Sequence, residues 1–147
     1  MVPPVFPVSG RRLTTDQFAA GALVLGVGCS IANRIWLYTE YSHIGWHDGA
    51  LVAIVAIVLG AAAMLVLSPG RPVSRLIGGI AAGMVLERHI SPLFGNFDST
   101  VTTIPWWGYG GWLAIPGTLV ALGAIAALLR TLASDTSGNS TPQRIFG

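Results

Sequence analysis

Glu87, Arg88 and His89 stand in a row near the end of an apolar stretch that begins near Val73 and runs to Pro92. If the stretch crosses a bilayer, the three lie within it. A charge at the centre of a membrane helix costs roughly 2.5–3.5 kcal/mol on insertion scales, so it persists where it is paired or useful. The triplet cannot act as one site, because neighbouring helical residues point about 100° apart. Glu87 falls on the face of Gly79 and Gly83, eight and four residues earlier. His89 falls on the face of Ala82. Arg88 projects between them, where its long stem lets the charge snorkel toward the interface.

A second set precedes the second apolar run. Glu40, His43 and His47 stand at i, i+3 and i+7, with Asp48 adjacent. On a continuous helix the first three would share a face, and imidazole with carboxylate suits a transition metal. His89 could complete such a metal site, or pair with His47 as a bis-histidine haem ligand. Gly45 interrupts the helix this requires, and Glu-xx-His-xxx-His is not a specific signature. The sequence contains no c-type haem attachment motif. It has no Gly-x-Ser-x-Gly, no P-loop and no dinucleotide-binding glycine motif, so nothing points to an independent catalytic centre. No cofactor is expected, with a metal or haem on the outer face as the alternative.

These groups must be positioned by a membrane scaffold. Of 147 residues, 52% are hydrophobic and only 10% charged, against about 25% charged in soluble domains. The mean hydropathy is +0.67. All eight basic residues are arginines and they are scattered, which gives no nucleic-acid-binding patch. The single cysteine, Cys29, leaves no partner for an intrachain disulfide.

The hydropathy pattern predicts an all-α, polytopic integral membrane protein: a bundle of four transmembrane helices at about 16–38, 48–67, 73–91 and 110–131. A tail over 1–15 precedes this domain of residues 16–132, and a disordered Ser/Thr/Gly-rich tail over 133–147 follows it. Thr15 or Asp16 is expected to cap the first helix and Asp48 the second. Ser68-Pro69-Gly70-Arg71-Pro72 is a turn that folds helices two and three into a hairpin. With four spans, Arg11, Arg12, Arg71, Arg75, Arg130 and Arg144 all fall on one side, which the positive-inside rule makes cytoplasmic, with both termini inside. Every Trp and Tyr then falls on the outer side: Trp36, Tyr38, Tyr41, Trp46, Trp106, Trp107, Tyr109 and Trp112.

Small residues recur on two helices. Ala22, Gly26 and Ser30, followed by Asn33, mark one face of helix one. Gly79 and Gly83 lead to Glu87 on helix three. Both fit the small-xxx-small pattern of close membrane helix packing. Arg34 and Glu87 both approach the outer ends of their helices, so a structural ion pair between them is expected to offset the cost of burying either charge. The reading that follows is a small accessory or structural subunit of a larger complex in the cell (plasma or inner) membrane, partnered by lipid and by other membrane subunits or its own copies. The alternatives are a small transporter or channel coupled through Glu87, and a metal- or haem-binding subunit.

Overall fold

The computed structural model of the chain describes residues 13–40, 49–93 and 111–138. They form four α-helices: α1 (Thr15–Glu40), α2 (Gly49–Leu67), α3 (Pro72–Leu93) and α4 (Gly111–Gly138). No strand occurs among the described residues. α1, α2 and α4 are each long and apolar enough to cross a membrane. α3 has 22 residues, a length of about 33 Å at 1.5 Å per residue.

Local chemistry sets the helix ends. Thr14, rather than Thr15 or Asp16, caps α1: its Oγ1 accepts from the Gln17 amide at 3.2 Å, and Gln17 Oε1 accepts from the Thr14 amide at 3.0 Å. This reciprocal pair satisfies two amides that a helix start leaves unpaired. Asp48 lies outside the described residues. The α2–α3 turn passes through Gly70 at φ +79°, a conformation in which a Cβ is strained. Pro72 then opens α3, where a missing N–H costs nothing. α4 extends to Gly138, past the expected end near residue 131 and into the segment expected as a disordered tail from 133; Leu132 and Ala133 favour the helix, and Ser134 Oγ donates to the Thr131 carbonyl at 2.8 Å.

Within the bundle, α1 packs on α4 and α2, α3 packs on α4 and α2, and α1 meets α3 across the centre. Among the described residues, eleven of the eighteen buried hydrophobic ones are alanines, so the helices are held by close approach rather than by bulky side chains, as in membrane interiors. Large apolar side chains instead face outward, among them Leu25, Leu76, Leu119 and Leu129. On α4, the buried positions Ala114, Gly117, Ala121, Ala124, Leu128 and Thr131 repeat at alternating intervals of three and four, the spacing of a coiled-coil seam.

α1 and α3 run parallel and in register. Asp16 meets Arg75 and Ser30 meets His89, each at a separation of 59 residues. Gly26 faces Val85 at the same interval: a Cβ on Gly26 would lie 2.5 Å from Val85 Cγ1. The glycine is what lets the diagonal pair come this close.

Candidate functional site

The stripe predicted on helix one is buried: Ala22, Gly26 and Ser30 all face the bundle interior. The stripe on helix three lies elsewhere. The buried positions of α3 are Ser74, Gly78, Ala81, Ala82, Val85 and His89. Gly78 is the tightly packed glycine, since a Cβ there would sit 2.9 Å from Leu65 Cδ1. Around Gly79 and Gly83 there is open space. Glu87 extends this open face and is exposed.

No ion pair joins Arg34 to Glu87. The register explains why. Fifty-nine residues before Glu87 is Gly28, so Arg34 lies six residues further along α1, about 9 Å at the helical rise. Glu87 also follows Val85 by two residues, about 200° around α3, and so turns away from the helix that carries Arg34.

His89 takes the interior position, and its ring is buried. Nδ1 lies 2.8 Å from the Val85 carbonyl, which can only accept, so Nδ1 donates. Nε2 lies 3.3 Å from Ser30 Oγ, and Ser30 Oγ is 3.1 Å from the Gly26 carbonyl. The serine has one proton and two acceptors within reach. With a neutral ring, Ser30 donates to Nε2. With a protonated ring, Nε2–H donates to Ser30 Oγ, and the hydroxyl donates to Gly26. Either way each polar atom of the pair has a partner. Gly117 of α4 closes the third side: a Cβ there would overlap the imidazole. Pro116, just before it, lies in the second turn of α4 and leaves the Trp112 carbonyl without its helical donor. Trp112 in turn meets Trp36 of α1 edge to face, with ring centroids 6.5 Å apart. Among the described residues, Asn33 Oδ1 of α1 and Thr118 Oγ1 of α4 are also buried without a hydrogen-bond partner.

Of the proposed metal set, His43 and His47 lie outside the described residues, and Glu40 is the last residue of α1. Both nitrogens of His89 are engaged inside the bundle, so a ligand there would have to displace Ser30. Among the described residues, no three His, Cys, Asp or Glu side chains gather as a metal site would require. Tyr41, Trp46, Trp106, Trp107 and Tyr109 also lie outside the described residues.

A second polar centre, which the sequence reading missed, fastens the opposite end. Asp16 is buried, and its carboxylate accepts from the Gly70 amide at 2.6 Å and from Arg75 Nε at 3.2 Å. One carboxylate thus ties the start of α1 to the α2–α3 turn and to the first turn of α3. The available signal was an acid one residue inside an apolar helix, opposite an arginine just inside another.

The chain matches no family model, and comparisons with curated proteins and with solved structures give no match.

Proposed function

We propose that the protein is an accessory or structural subunit of a larger membrane complex, docking through the Gly79–Gly83–Glu87 face of α3. In this reading α3 crosses the membrane as a fourth span beside α1, α2 and α4, both termini face the cytoplasm, and the membrane is the cell (plasma or inner) membrane. The observation that carries the proposal is the position of Glu87: exposed on the outside of the bundle, in line with two glycines at which a Cβ would meet nothing within 4 Å among the described residues. A carboxylate facing hydrocarbon is costly, whereas a neighbouring helix that packs on the glycines can cover it and supply a partner. Within the bundle, polar side chains fasten helix to helix, as Asp16 and Ser30 do. A transporter coupled through Glu87 would need a path through the bundle to a residue that stands outside it.

The test is purification from native membranes in mild detergent, with wild type compared to Glu87→Gln and Gly83→Leu. The proposal expects a stable assembly, with another subunit or with further copies, that both substitutions dissociate while the bundle stays folded. A monodisperse single-subunit wild type, or an assembly indifferent to both changes, would count against it.

A further inference from the structure

The start of α1 and the end of α4 enclose a groove of about 440 Å³. Its rim carries Thr14, Thr15 and Arg130, and its floor is Phe18, Gly123 and Ala126. We infer that this groove binds an anionic phospholipid. The phosphate sits on Arg130 and the two threonine hydroxyls, and the upper part of one acyl chain lies along Phe18, Gly123 and Ala126.

Three observations lead there. First, the groove carries its polar side chains, Thr14, Thr15 and Arg130, at the helix ends beside the exposed Leu13, and is apolar along the span, the gradient a lipid presents where headgroup meets chain. Its volume falls within the roughly 300–1,000 Å³ of small-ligand sites, enough for a phosphate and part of one chain while the rest of the lipid stays in the bilayer. Second, the charge is available. Arg130 is exposed, and the buried acid at this end of the bundle, Asp16, is taken by Arg75. Arginine binds phosphate through paired N–H donors, and basic pockets between membrane helices bind acidic headgroups. Thr14 accepts from Gln17 in the helix cap and keeps its own proton to donate. Third, the floor is open at Gly123, where a Cβ would meet nothing within 4 Å.

A neighbouring groove shows what the site would be without its rim. Between α1 and α2 a larger groove of about 740 Å³ is lined by apolar residues such as Ala20, Val24, Leu59 and Val66, with Gln17 its one polar side chain. Gln17 already bonds the Thr14 amide. That surface suits an acyl chain of any lipid, whereas the Arg130 groove selects by headgroup charge.

The test uses the full-length protein in detergent, titrated with phosphatidylglycerol or phosphatidylcholine of the same acyl chains, with bound lipid counted by native mass spectrometry. Wild type should retain phosphatidylglycerol about fivefold better, the factor that one basic residue near an acidic headgroup contributes. Arg130→Gln should bring the two lipids to parity and Arg130→Lys should keep most of the preference. Arg71→Gln, at an exposed arginine on the same end, should leave it unchanged. Gly123→Leu should reduce retention of both lipids by filling the floor. Equal retention by wild type would overturn the proposal, as would equal losses from Arg130→Gln and Arg71→Gln, which indicate diffuse attraction. Displacement of the lipid by millimolar inorganic phosphate alone would overturn the lipid assignment.

Discussion

Ser30 of α1 and His89 of α3 meet across the diagonal of the bundle, Oγ to Nε2 at 3.3 Å. They share their 59-residue interval with Asp16 and Arg75, fourteen residues earlier on each helix. The two contacts are therefore about 21 Å apart along the axis. Two parallel helices are pinned near both ends by polar pairs, with Gly26 against Val85 between them. Neither pair can slip by one residue without breaking the other, so the polar contacts specify the register that a largely alanine interface leaves open.

Removing the hydroxyl with Ser30→Ala leaves a ring nitrogen of His89 buried without its partner. An unsatisfied buried polar group costs about 1–3 kcal/mol, and thermal unfolding in detergent should show a loss of that size. A change below about 0.5 kcal/mol would mean that Ser30 and His89 are not coupled in the folded protein.

Gly117→Ala places a methyl group where the His89 ring lies. Overpacking of this kind costs about 1–3 kcal/mol. Gly117→Ala combined with His89→Ala should lose less than the sum of the single changes, because the second substitution removes the group the first one strikes. Additive losses in that cycle would rule out the contact. Gly123→Ala is the control: it has open space and should gain up to about 1 kcal/mol of helix propensity.

Asp16→Ala removes the acceptor shared by the Gly70 amide and Arg75. Breaking a buried ion pair from one side costs about 3–5 kcal/mol, so this should be among the most damaging single changes in α1. Glu87→Gln, on the exposed face, should shift the stability of the isolated bundle by no more than about 0.5 kcal/mol. If the two substitutions proved equally costly, Glu87 would have to be paired within the bundle after all.

Thr118→Val exchanges a buried hydroxyl that has no hydrogen-bond partner among the described residues for a methyl group of similar shape. Stability should hold or rise by up to about 1 kcal/mol. A clear loss would show that the hydroxyl is bonded to a water or ligand in the folded protein.

The membrane character and the four helices were legible in the sequence. Length and hydropathy are properties of a segment, and a run such as Gly49–Leu67 can satisfy its backbone in lipid only as a helix. The turn at Ser68–Arg71 was legible because Pro and Gly restrict the backbone locally. The stripe Ala22–Gly26–Ser30 faces the bundle interior, but on α3 the same pattern pointed to Gly79 and Gly83, whereas Gly78 is the packed glycine. Small residues crowd every face of that helix, so periodicity cannot say which face turns inward.

What only the tertiary structure decided is which helices are neighbours and at what register. A carboxylate finds its partner through the position of a whole helix: one residue of shift along α3 turns its face by about 100° and exchanges His89 for a neighbour. The sequence therefore supplied the charged residues, but matched Glu87 to Arg34. The folded chain instead gives Asp16 to Arg75 and Ser30 to His89. Glu87 is left outside, because the glycine at position 26 brings α3 in by its other face.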